Sequence, residues 1–192
     1  MNGYNIALFF HITGIVALFG ADAVEFAALY LLYRAINVAQ VRQASGMAVT
    51  LERVFPVALV LILGSGIYMV LRSWSFTDGW VLVALVSLLL GAAIAPILQG
   101  RRFSAIHAMS EVCPDGPVPA EMRLKTLDPG LWGGVMVLAG GLLGIIFLMT
   151  TKPGLIEAVI VILVGMALGY LAAGLMRTGE RAAVSEQAPA MR

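Results

Sequence analysis

The segment WVLVALVSLLLGAAIAPIL, Trp80–Leu98, holds 19 consecutive residues without a single charge. A helix rising about 1.5 Å per residue covers a hydrocarbon core of about 30 Å with a run of that length. A helix also satisfies its own backbone hydrogen bonds, as lipid requires. Four further stretches qualify, so the expected spans are Tyr4–Tyr33, Val54–Leu71, Trp80–Leu98, Leu131–Thr151 and Leu155–Met176. The expected fold is an all-α, five-span transmembrane bundle. Composition agrees: 60% of the 192 residues are hydrophobic and 12% charged, about half the charged fraction of an ordinary soluble domain. The opening MNGYNIALFF lacks the positive region of a secretory leader and reads as part of the first span. The spans make the lipid bilayer the expected partner; a net charge of +1 by itself says nothing of nucleic acid, and no basic stretch is interleaved with aromatics, so none is expected.

Basic residues predict the orientation. Arg34, Arg42, Arg53, Arg101, Arg102, Arg123, Lys125, Arg177, Arg181 and Arg192 fall on one side of a chain that weaves five times, leaving Arg72 and Lys152 on the other. The positive-inside rule then places the N-terminus outside and the C-terminus in the cytoplasm, in a bacterial inner membrane. Trp74, Trp80 and Trp132 sit where interfacial rings are expected. The expected organisation is a four-span core over 1–153 with a cytoplasmic loop at 99–130, a fifth helix at 154–177 and a flexible cytoplasmic tail at 178–192. Within the loop, RRFSAIHAMSEV reads as an interfacial helix. Arg101, Arg102 and His107 would meet lipid headgroups, with Phe103, Ile106 and Met109 as apolar anchors. The breaker cluster CPDGPVP follows, then a helical approach, AEMRLKTLDP. The single Cys113 excludes an intramolecular disulfide.

Glycines recur in the last two spans. Gly140 and Gly144, and Gly165 and Gly169, stand four residues apart, a spacing that lets helix backbones approach closely. Packing within the chain is one use of these faces, and a homodimer contact is the other.

The first span carries the chemistry. His11, Asp22 and Glu25 share one helical stripe, because residues 11 apart return to nearly the same face at about 100° per residue. His11 and Asp22 lie about 16 Å apart along the axis, with His11 toward the outer half, Asp22 somewhat beyond mid-membrane and Glu25 deeper. Charged groups there are expensive, and by default they mark a site that handles a proton, an ion or a cofactor. Two carboxyls at i, i+3 can share a proton. The plainer reading is a structural cluster, with a carboxyl paired to Arg34 or Arg53, or bonded to Ser and Thr of neighbouring spans. His11 taken alone reads first as a satisfied interior histidine, with a ligand as the alternative. Met69 and Met149 lie toward the same end of their spans, and a His–Met set would suit copper or haem b, although methionine more often simply fills core space. His107 belongs to the opposite side, so the two histidines cannot be axial ligands of one haem. No nucleophile elbow, phosphate-cradling loop or HExxH motif is present.

FFHITGIVALFG in span one, GSGIYMVLRSWSFTDGWVLVALVSLLLGAAIAPILQGRRF across spans two and three, and FLMTTKP closing span four together resemble the bacterial integral-membrane family termed domain of unknown function 2269, over about residues 4–153. More distantly, a histidine followed by spaced glycines in the first span is similar to CopD copper-resistance proteins and HemJ-type protoporphyrinogen oxidases. That resemblance implies a haem- or copper-binding redox protein in which His11 is the matching histidine. HemJ-like proteins also carry a lysine in a later span. This chain has no lysine before Lys125 and none inside a span, which argues against the oxidase chemistry. The leading expectation is therefore a small inner-membrane protein with a polar site at His11, Asp22 and Glu25. A redox protein, or an accessory subunit presenting an exposed Gly165/Gly169 face to a partner, are the alternatives.

Overall fold

The computed structural model describes residues 2–187, with side chains described through Leu175. The elements in order are α1 (Gly3–Arg34), α2 (Val38–Leu51), α3 (Val54–Ser73), α4 (Gly79–Ala95), a π-turn (Pro96–Gly100), α5 (Arg101–Val112), α6 (Ala120–Thr126), α7 (Pro129–Thr151) and α8 (Leu155–Gln187). Five helical runs are long and apolar enough to cross a membrane. Among the described residues the only strand-like feature is an isolated bridge between Asn37 and Pro117. The fifth helix continues past Met176 to Gln187, into the region expected as a tail. Residues 188–192 of that tail lie outside the described residues.

Three segments expected as connectors or surface elements are parts of a packed end. The first loop is helical: Asn37 caps α2 by accepting a hydrogen bond from the Gln40 backbone N–H at 2.9 Å, an N-terminal signal of the usual kind. Val38, Val41, Ala44, Ser45 and Ala48 form its buried stripe. The stripe meets α5, whose Phe103 and Ile106 are buried against it. These two residues anchor α5 to protein, not to lipid, because α2 supplies the apolar partner that bilayer was expected to supply. α5 also continues α4 directly. Pro96 removes one backbone donor and its ring opposes the carbonyl four residues earlier, and the chain widens to a π-turn there.

Arginines close this end. Arg42 donates to the Ser110 carbonyl from Nε (3.0 Å) and Nη2 (2.8 Å), to the Cys113 carbonyl (3.0 Å) and to Asp115 Oδ1 (3.0 Å). One guanidinium thus serves carbonyls that the end of α5 leaves without helical partners. Arg123 donates to the Ala35 carbonyl at 2.7 Å, where α1 ends. Asp128 caps α7 through the Gly130 N–H at 2.8 Å and pairs with Arg102 Nε at 2.8 Å. Cys113 is half-buried beside this core.

At the other end α1 pairs with α3, and α7 pairs with α8, while α4 lies against α7 and α8. The α7–α8 contact is the most extensive and is made of glycine. A Cβ built on Gly140 or Gly165 would fall on the other's carbonyl oxygen, and one on Gly169 would fall on that of Met136. Gly144 packs against Ile162. Of the two uses expected for these glycines, the structure shows packing within the chain: Gly165 and Gly169 are engaged by α7, which carries the matching glycines, so this face is not left open for a partner subunit or a second copy. Where α7 ends, Lys152 adopts a left-handed conformation (φ 49°). Its ammonium lies 4.0 Å from the Trp74 ring centre and 5.9 Å from that of Trp80, within cation–π range.

Candidate functional site

α1 and α3 run antiparallel in a register set by small residues. Gly3 meets Tyr68, His11 meets Ser65 and Gly66, and Gly14 meets Ala58 and Ile62. Continued downward, that register puts Asp22 level with the first residues of α3. α3 has 20 residues, about 30 Å of helix or one hydrocarbon thickness. Asp22 and Glu25 thus lie level with the start of α3, beside the arginine-closed end.

Glu25 is 2% exposed and its Oε2 accepts a hydrogen bond from Gln99 Nε2 at 2.8 Å, with Gln99 itself 6% exposed. The π-turn makes this contact, since Gln99 belongs to it. Asp22 and Glu52 are the two neighbouring carboxyls that act electrostatically on Glu25. Glu52 follows α2 at the corner before α3, and its Oε1 would touch a Cβ on Gly100 at 3.3 Å. Two acceptors here are buried without a hydrogen-bond partner: Glu52 Oε1 and Gln99 Oε1.

No basic side chain neutralises the cluster among the described residues. The ion pairs found belong to Arg42 and Arg102, and Arg34 instead donates to the Tyr30 hydroxyl at 2.8 Å. The pairing of a carboxyl with Arg34 or Arg53 is not seen, because α1 carries Arg34 past the site onto its exposed face. Among the described residues, no three His, Cys, Asp or Glu side chains form a metal-binding group. The cluster is therefore rich in acceptors and short of donors, and the smallest species that resolves such a mismatch is a proton.

His11 does not join it. Its Nδ1 faces the Ile62 carbonyl at 3.0 Å and Ser65 Oγ at 3.2 Å. The ring lines a separate cavity of about 340 Å³ between the α1/α3 pair and α4/α7. The expected three-member site is thus divided in two: Asp22 and Glu25 at the packed end, His11 at the other. Met69 and Met149 line the same cavity as His11. That lining holds no carboxylate or thiolate to balance a metal's charge, so it suits a neutral occupant better than haem or copper.

Of the residues expected at lipid headgroups, Arg101 is exposed. Arg102 is bound to Asp128. His107 is turned onto α2, its Nδ1 3.2 Å from Ser45 Oγ and its ring beside Gly46. Reasoning from the sequence missed Glu52 and Gln99. The available signals were a carboxyl at the mouth of span two and a polar amide just after a proline in span three.

Comparison with protein-family models, with curated proteins and with solved structures gave no match.

Proposed function

We propose that this chain is a small inner-membrane protein that binds and exchanges a proton at a carboxyl–amide site formed by the buried Glu25 and Gln99 and the half-buried Glu52, with Asp22 beside it. The observation that carries this reading is the pair of buried acceptor oxygens, Glu52 Oε1 and Gln99 Oε1, left without a donor next to the Glu25–Gln99 bond. A buried acceptor without a partner costs about 1–3 kcal/mol, and each proton taken up by a carboxyl here adds one donor to a site that lacks them. Gln99 suits the exchange chemically. Its amide donates to Glu25 as a carboxylate and, turned over, accepts from Glu25 as an acid. The site lies toward the basic end, which the ten-to-two distribution of Lys and Arg assigns to the cytoplasm. His11 lies about 21 Å from Glu25 along α1, beyond Ile15, Leu18 and Phe19, which line the cavity. The proton therefore enters and leaves on the basic side and is not conducted through the bundle.

Potentiometric difference titration tests this reading. The wild type should bind at least one more proton than a Glu25→Gln/Glu52→Gln double variant across the pH range in which both stay folded. In proteoliposomes of known orientation, that exchange should follow the pH on the basic side. Identical titration curves would reject the reading. The haem or copper alternative makes a different prediction, an absorption band that shifts on reduction, where a proton site leaves the protein colourless.

A further inference from the structure

The cavity at the opposite end from the carboxyl cluster is built in a way the proton site does not use. It measures about 340 Å³ and its wall is apolar almost throughout, apart from His11 and Thr150. The volume falls within the range of small-molecule sites, which pair an apolar wall with a few placed polar groups. Trp74, Phe76 and Trp80 line it at the loop end, and Trp74 and Trp80 meet edge to face at 5.3 Å beneath Lys152.

His11 is held there in one tautomer. A carbonyl only accepts, so the contact between Nδ1 and the Ile62 oxygen at 3.0 Å requires the proton on Nδ1. Ser65 is consistent with this, because its hydroxyl donates to the Leu61 carbonyl and leaves its oxygen free to accept from the same Nδ1–H. In the neutral ring Nε2 is then a bare acceptor. The Nδ1–Cε1 edge is pressed on α3, with a Cβ on Gly66 reaching Cε1 at 3.2 Å and Nδ1 at 3.4 Å. That orientation turns the Nε2 edge off α3, and among the described residues Nε2 has no hydrogen-bond partner. The Thr150 hydroxyl is tied to the Ile146 and Phe147 carbonyls of its own helix, so the imidazole is the strongest acceptor in an apolar chamber, and it selects an occupant with a donor on an apolar frame. A lipid acyl chain would fill the space but leave Nε2 unsatisfied.

We propose that the cavity binds a neutral lipophilic aromatic alcohol, a phenol with an apolar tail, whose ring packs against Trp74, Phe76 and Trp80 and whose hydroxyl donates to His11 Nε2. Entry from the bilayer suits the site, because α3 and α4 present exposed apolar side chains around it, Ile67, Leu71 and Leu82 among them.

Three neutral probes of equal tail length test the assignment in detergent micelles: 3-bromo-4-hexylphenol, with its bromine on the ring, the methyl ether of that phenol, and a bromoalkane. Bromine quenches indole fluorescence on contact. Trp74 and Trp80 line the cavity while Trp132 is buried in the packed end, so binding appears as saturable, partial quenching. The phenol should bind about three- to ten-fold more tightly than the ether, the scale of one hydrogen bond. His11→Phe should abolish that preference and leave the affinity for the ether unchanged. Ala84→Phe, which fills the cavity, should remove saturable quenching by both. Equal affinities of the wild type for phenol and ether, tightest binding of the bromoalkane, or quenching that rises without saturation would each overturn the proposal, and none of these depends on a variant that folds.

Discussion

At one end of this bundle, residues from five helices close into a core in which Leu29, Leu32, Phe103 and Leu131 are wholly buried. At the other, two groups of helices stand apart around a cavity. The packed end is also where polar groups are satisfied, with Arg42, Arg102 and Arg123 serving helix ends and a cap. Against that background, the two oxygens without a hydrogen-bond partner among the described residues, Glu52 Oε1 and Gln99 Oε1, are conspicuous. The open end reverses the pattern: its packing is incomplete and it holds one imidazole among apolar side chains. Each region departs from its own local rule in one place, and those departures mark the two candidate sites.

The comparison can be broken most severely where α7 meets α8. Gly165→Ile forces side-chain atoms into the Gly140 backbone and should cost about 3 kcal/mol or more, measured by denaturation in mixed micelles. Gly20→Ala, where an added Cβ meets nothing within 4 Å, should stay within about 0.5 kcal/mol. The two ends should next differ in their response to an equal truncation. Leu29→Ala in the packed core should cost about 2–5 kcal/mol. Leu85→Ala, on the cavity wall, should cost no more than about 1 kcal/mol, because that side chain already borders open space. Similar losses for both would dissolve the distinction. The smallest effect is the sharpest one. Glu52→Gln places an amide donor at the oxygen that lacks one and should leave stability unchanged or raise it by up to about 1 kcal/mol. A clear loss would mean that a cation is held there instead.

The spans were readable because hydropathy registers length and apolarity, and α3, α4 and α7 are apolar nearly all round. α2 was not, since VAQVRQASGMAVTL is too polar for a span. Its amphipathic stripe and the Asn37 cap were visible, but their meaning depends on α5 being there to receive them. Asp22 and Glu25 announced themselves as charges in an apolar run. Gln99 and Glu52 read as span boundaries, and only the π-turn and the α2–α3 corner bring them to Glu25. A proline signals that a helix is disturbed, not which residue the disturbance turns inward. His11 shared a stripe with the carboxyls, as helical spacing requires, but one face of a long helix can serve two sites, and here α3 takes its upper part.

Infrared difference spectroscopy of the purified protein across a pH step, comparing wild type with Glu25→Gln and Glu52→Gln, tests the central claim most directly. The proton-site account predicts a carboxylic C=O band in the wild type that exchanges with a carboxylate band as pH rises, shifts in deuterium oxide and is lost or displaced in Glu25→Gln. Wild-type spectra in which Glu25 and Glu52 contribute only carboxylate bands at every pH where the protein is folded would contradict it.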